Sequence, residues 1–251
     1  MTLDEPRLYE ERDHIAHTLQ QSLLPPELPS VPGMELAARY LPAGEGNEVG
    51  GDFYDVFETG EGAWGVAIGD VCGKGAVAAA VMALARYTLR AAAMREDRPS
   101  LILQILNEAV LRQGTDGRFI TVCYARVRPG EGNARLTVCC GGHPLPAVIR
   151  ADGTVDLTGE PGTLLGVFPD PALSDQVVDL GPGDAMVLYT DGVVEIPGNP
   201  FLGERRLQEV LGSCAGLDAK AIAERVEKEV LRRGRRTTRD DMAVLILRVA
   251  P

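Results

Sequence analysis

An α+β fold, with strands gathered before and after a pair of helices, is what the residue pattern of this chain predicts. Three observations carry the expectation. Short apolar strand-like runs recur between turns. The helix-favouring stretches come grouped and do not alternate with single strands. Gly (29) and Pro (17) are frequent enough to build many tight turns. With 45% hydrophobic residues in a chain of 251, there is material for a sizeable core.

Taken in order, residues 4–24 are charged and helix-favouring, with Leu8, Ile15 and Leu19 near heptad spacing. Pro25-Pro26 ends that segment because proline cannot continue a helix. The expected division is therefore an N-terminal regulatory or linker helix, residues 1–30, and one catalytic-size domain, residues 31–251. Past Pro32-Gly33, strand-like runs cover 36–41, 49–57 and 64–68. An Ala-rich helix is expected over 75–95, then a helix opened by Ser100 as N-cap. Strands resume at 119–127, 136–140, 177–180 and 185–189. A helix opened by Asp218 closes on Arg232-Arg233, whose charges suit the negative end of the helix dipole. A last strand follows at 242–249.

Acidic side chains outnumber basic ones 36 to 25, and the net charge of -11 opposes binding to nucleic acid or to an anionic membrane. One basic run opposes the trend: Arg232, Arg233, Arg235, Arg236 and Arg239. A helix end and a solvated loop explain it more simply than a phosphoprotein dock does. The five cysteines are odd in number, contain no C-x-x-C pair and sit mostly in apolar runs, as in a reducing cytosol. No segment approaches the roughly 18 uninterrupted apolar residues of a membrane span, and the N-terminus is charged where a signal peptide is apolar. The expectation is a cytoplasmic protein that binds neither nucleic acid nor membrane.

Four aspartates share one context, the mouth of a strand-like run: Asp52, Asp70, Asp191 and Asp240. Strand ends can bring distant positions together, and flanking glycines leave room for ions. Clustered carboxylates repel unless cations compensate them, and carboxylate oxygen is what Mg²⁺ and Mn²⁺ prefer. Any single Asp beside Gly is usually a turn residue; the set of four carries the argument. Other readings lack their parts. Gly69 to Gly75 is one residue short of a P-loop, and Gly75 stands where that loop needs Ser or Thr. Gly50-Gly51-Asp52-Phe53 also looks like the diguanylate cyclase signature, which has no place for Asp191 or Asp240. There is no G-x-S-x-G elbow and no H-E-x-x-H pair. His143, in a Gly-His-Pro turn, reads as a structural hydrogen bonder.

The motifs, in order, are Leu19-Gln20-Gln21-Ser22-Leu23-Leu24-Pro25, Gly50-Gly51-Asp52-Phe53-Tyr54-Asp55, Gly69-Asp70-Val71-Cys72-Gly73-Lys74-Gly75, Gly142-His143-Pro144, Thr190-Asp191-Gly192 and Asp240-Asp241-Met242. Over about residues 15–251 the chain thereby resembles the PPM-type (type 2C) protein phosphatases, in their bacterial SpoIIE/RsbU-like branch. The resemblance implies an αββα sandwich, two central antiparallel sheets flanked by helices. It implies a metal-dependent serine/threonine phosphatase using two Mn²⁺ or Mg²⁺ ions. Asp70 would bridge both ions and Asp52 would act on one side, directly or through water. Asp191 and Asp240 would ligate the other ion, and the Val71 carbonyl would complete a shell.

The same resemblance implies a phosphorylated STAS-domain anti-sigma-factor antagonist as substrate, an upstream sensor domain or protein, and a switch in the Ala-rich helix. The narrow seam of residues 4–24 adds a possible homodimer through the N-terminal helix. The alternative is a catalytically weak phosphatase fold kept as a regulatory binding module. Three departures from animal-type members stand out: Asn47 where those place a phosphate-gripping Arg, Gly51 where they carry Glu, and Cys72 where they carry His.

Overall fold

The computed structural model describes residues 23–42, 49–114, 117–194, 200–233 and 240–251. The expected helix bearing Leu8, Ile15 and Leu19 lies outside the described residues, as do Asn47, Arg235, Arg236 and Arg239.

Two five-stranded antiparallel sheets form the centre. The first has the order β1 (Met34–Leu41), β10 (Met242–Val249), β9 (Ala185–Tyr189), β6 (Ala147–Ile149) and β7 (Val155–Leu157). The second runs β2 (Asp52–Gly60), β3 (Ala63–Val71), β4 (Ile120–Pro129), β5 (Ala134–Gly141) and β8 (Gln176–Leu180). On the outer face of the second sheet lie α1 (Ala76–Ala93) and α2 (Pro99–Gln113). On the outer face of the first lie α3 (Pro200–Gly212) and α4 (Ala219–Arg233). The fold is the expected α+β sandwich of four layers.

Alternation along single strands explains the layering. On β10, Ala243, Leu245 and Leu247 face the opposite sheet, among Ile68, Cys123 and Val138. Met242, Val244 and Ile246 face the helices, among Leu211, Ile222 and Val226. A strand covered on both faces has no polar side, so it reads as a continuous apolar run.

Several boundaries differ from the expectation. The run 49–57 yields a strand only from Asp52, because Gly50 and Gly51 form the approach to the site instead of pairing. The second helix is not capped by Ser100: it starts at Pro99, with Arg98 at the N-cap. Proline suits the first helical position, where its missing N–H costs nothing. Ser100 instead gives its backbone N–H and hydroxyl to Asp175, at 2.7 and 2.9 Å. Asp218 behaves as expected, accepting from the Ala221 N–H at 2.7 Å. Strands β6 and β7 and helix α3 carry too little periodic signal in sequence and are additions.

Helix α1 is, at 18 residues, long and apolar enough by composition to cross a membrane. Ala78, Met82, Ala85 and Leu89 of that helix are buried with Phe53, Phe57 and Ala67 of the sheet. Arg86 and Arg90 interrupt the apolar run, and both bind Asp55 of β2. Its apolarity therefore serves the core.

Candidate active site

The β2–β3 hairpin sets the first pair of carboxylates. Its antiparallel register places Asp52 directly opposite Asp70. Side chains so paired on one face stand only a few ångströms apart, and like charges there are unfavourable. Asp52 is 2% exposed, and its Oδ2 accepts a hydrogen bond from the Thr190 hydroxyl at 2.6 Å.

Thr190 belongs to the other sheet. It follows β9, and its Oγ1 also accepts from the Ala243 N–H at 2.9 Å. Its own N–H donates to the Ala243 carbonyl at 3.0 Å. One hydroxyl thus ties β10 to the first carboxylate of β2. Asp191 comes next, opening the 3-10 turn Asp191–Val193. Because β9 and β10 are neighbours, Asp240 and Asp241, just ahead of Met242, arrive beside that turn.

Glycines allow the approach. A Cβ at Gly51 would lie 2.3 Å from the Val71 carbonyl oxygen and 2.4 Å from Asp70 Oδ1. At Gly192 it would lie 1.9 Å from the Asp241 carbonyl oxygen. The Gly51 N–H donates to Asp241 Oδ2 at 3.2 Å, and its carbonyl accepts from the Val71 N–H at 3.1 Å.

The charges feel one another. Burial, then Asp191, Asp240 and Asp241, push the Asp70 carboxyl up to about 7. Burial and Asp70 push Asp52 well above the usual carboxylate range, against the Thr190 hydrogen bond, which favours its ionised form. The Tyr40 phenol is pushed up by burial and by Asp241, Asp52 and Asp70. Lys74 offsets a part of this charge, its Nζ lying 3.4 Å from Asp240 Oδ1.

Asp70, Asp191 and Asp240 line one cavity of about 440 Å³, which Cys72, Thr121 and His143 share. Asp52 is not part of that lining. His143 is buried, its Nδ1 is 2.9 Å from the Thr121 hydroxyl, and burial lowers its pKa to about 3, so the ring is neutral at physiological pH. The structure thus brings together all four aspartates expected from sequence. It adds Asp241, Thr190 and Tyr40. Asp241 was legible as the second half of an Asp-Asp pair before a strand, and Thr190 as the first residue of Thr190-Asp191-Gly192, although nothing in the sequence gave its hydroxyl a partner; Tyr40 had no signal.

Hard carboxylate oxygens suit Mg²⁺ and Mn²⁺, and the raised carboxyls mark an excess of negative charge that a divalent cation relieves. By that criterion the residues fit. Among the described residues, however, no three His, Cys, Asp or Glu side chains already stand as a ready coordination shell. The donors share a cavity without meeting at one point.

The family model for stage II sporulation protein E (SpoIIE) matches residues 60–250. The chain belongs to the SpoIIE family. Asp70, Asp191 and Asp240 fall within the matched span, and Asp52 precedes it. Phosphoserine phosphatase RsbU of Bacillus subtilis is 28% identical over 236 residues, covering 93% of this chain and 69% of RsbU. Protein IcfG of Synechocystis sp. is 28% identical over 243 residues, covering 85% of this chain but 37% of IcfG. The chain therefore spans about a third of that relative. The SiaA-PP2C domain of Pseudomonas aeruginosa superposes with a TM-score of 0.78 at 21% identity, covering 99% of both chains. The fold is that of the PPM, or PP2C, phosphatases.

Membership in the SpoIIE family gives two departures a physical reading. Gly51 cannot be replaced by a larger residue without striking the Val71 carbonyl. Cys72 lines the cavity where animal-type members are expected to present an imidazole, and His143 enters the same cavity from β5's side.

Proposed function

We propose that this SpoIIE-family domain is a metal-dependent protein serine/threonine phosphatase that hydrolyses phosphoserine or phosphothreonine on a partner protein. The observation that carries the reading is the convergence of Asp70, Asp191 and Asp240 on one cavity from two different sheets, with the Asp70 carboxyl raised to about 7. A set so repulsive is maintained against its own electrostatics only for a cation. The description of RsbU as a phosphoserine phosphatase supports the substrate class.

In this reading Asp70 would hold both of two ions, Asp191 and Asp240 one of them, and the Val71 carbonyl would complete a shell. Bound Mg²⁺ or Mn²⁺ supplies an activated water and neutralises charge on the phosphoryl oxygens. Asp52, fixed by Thr190, orients Asp70 from behind or accepts from a water between them. His143, neutral and tied to Thr121, keeps the cavity wall opposite Asp70 in place without adding charge.

The partner is proposed to be a phosphorylated STAS-domain anti-sigma-factor antagonist, with an upstream sensor acting through the N-terminal segment. Support for that control lies on α1 and its C-cap, where the apolar side chains of Val77, Tyr87 and Met94 are exposed. The N-terminal helix, or a second copy, would cover them. A cytoplasmic location is supported by five free thiols, two of which, Cys123 and Cys140, are cross-strand partners.

One observation favours the second reading, a catalytically weak binding module: among the described residues the carboxylates do not form a ready shell. Hydrolysis of a chromogenic aryl phosphate by the purified protein with Mn²⁺, with and without chelator, separates the two. Asp70→Asn should abolish turnover, by about a thousandfold or more, with the fold intact by circular dichroism. Activity within about tenfold of wild type, under a carboxylate-dependent mechanism, would sink the two-metal assignment.

A further inference from the structure

A phosphorylated side chain can enter the cavity, but the body of a protein substrate must rest on what surrounds it. One wall is carried by the segment after β5. The Gly142 N–H, in the cavity lining, donates to the Gly162 carbonyl at 3.1 Å. Leu165 then exchanges both backbone hydrogen bonds with Ile120, at 2.8 and 2.9 Å, and Ile120 stands between the lining residues Phe119 and Thr121. Leu165 is fully buried, yet the next side chains along, Val167 and Phe168, are 44% and 53% exposed. Three residues of chain reach at most about 11 Å, so the Phe168 backbone stands within that distance of Leu165.

Asn107 on α2 fixes this stretch. Its side chain is fully buried, and its Nδ2 donates to the Phe168 carbonyl at 2.9 Å and to the Pro169 carbonyl at 3.4 Å. Its Oδ1 accepts from the Gly166 N–H at 2.8 Å. Gly166 sits at φ +90°, and a Cβ there would lie 2.5 Å from Val110 Cγ1, so only glycine lets the segment lie this close to α2. A buried amide is tolerated where its partners satisfy it. Here those partners are the backbone groups on either side of two exposed apolar side chains.

We propose that Val167 and Phe168 form a docking point for the phosphoprotein substrate, receiving an apolar patch beside its phosphorylated serine or threonine; the inference rests on the phosphatase reading and deepens it. Position selects the occupant. A standard interface buries about 800 Å² on each partner, a patch of about 16 Å radius, so a protein centred on the cavity reaches Phe168. Aromatic side chains are enriched in such contacts. The backbone held by Asn107 leaves little freedom to lose when the partner arrives. A small phosphate ester fills the cavity without touching the pair.

The test compares two substrates of the full chain with Mn²⁺, a serine-phosphorylated STAS-domain protein and an aryl phosphate, with calorimetric titration of the phosphoprotein alongside. Phe168→Ala should lower kcat/KM on the phosphoprotein by about tenfold or more, the scale of an interface anchor. Its rate on the aryl phosphate should stay within about twofold of wild type, which also shows that the site is folded. Phe168→Leu should recover part of the loss. Phosphoprotein turnover by Phe168→Ala within about twofold of wild type overturns the proposal. So does an equal loss on both substrates, which would make Phe168 a support of the cavity wall, and so does a wild type with no preference for the phosphoprotein. A change of mass by light scattering in Phe168→Ala would assign the pair to contact with a second copy, and an effect that vanishes on deleting residues 1–22 would assign it to the N-terminal segment; either result overturns the proposal as well. Phe168-dependent binding of the phosphoprotein without hydrolysis of either substrate would instead overturn the phosphatase reading and leave the docking point standing.

Discussion

The Thr190 hydroxyl is the smallest feature on which the site depends. It donates to Asp52 and accepts from the Ala243 N–H, so Thr190→Val keeps the shape while leaving two buried polar groups unmatched. The expected cost is about 1–3 kcal/mol per group, read as a lower urea midpoint, together with weaker Mn²⁺ binding by calorimetry. An unchanged midpoint would show that Thr190 is not the tie between the sheets. Asp70 offers a pH test at the same scale. Its folded pKa of about 7 lies above the ordinary carboxylate value of 3.8, so with chelator present the folded state holds a proton that the unfolded chain has released. The stability that this proton brings is complete below about pH 4. It is lost as pH rises to about 7, and saturating Mn²⁺ should flatten the profile. Urea midpoints at pH 4 to 8, with and without metal, check the sign; a chelated protein that gains stability from Asp70 over that window would contradict it.

Among the elements, α1 carries the strongest link between the helices and the site. Asp55, 1% exposed on β2 and three residues beyond Asp52, accepts from Arg90 at 2.7 and 2.8 Å and from Arg86 at 3.3 Å. Arg86 also binds the Leu23 carbonyl, joining residue 23 to the same node. Removing the shared carboxylate leaves a buried Arg86 without its counter-charge, and breaking such a pair costs about 3–5 kcal/mol. Arg90 is partly exposed and contributes less. Asp55→Ala should therefore unfold at markedly lower urea, and a variant that keeps the wild-type midpoint would show that the apolar contacts of α1 suffice.

At the level of the whole molecule, the proposal of control predicts that deleting residues 1–22, or changing Ile15 and Leu19 to Asp, alters both the Mn²⁺ concentration needed for activity and the mass in solution. An isolated helix of this length is marginal in water and needs a partner. Light scattering and a Mn²⁺ activation curve decide the matter; if both stay as in the full chain, the segment is only a linker. How far the molecule was legible beforehand follows from the kind of force at each position. Helix periodicity, strand runs and the Asp218 cap are local, so α1, α4 and the longer strands could be read along the chain. The four aspartates stood out because turn glycines and strand ends are local signals too. What only the tertiary structure decided was which residues meet: Thr190 beneath Asp52, and Asp241 on the Gly51 N–H. Those contacts span about 140 and 190 positions and depend on two sheets packing face to face, which no periodicity along one strand encodes.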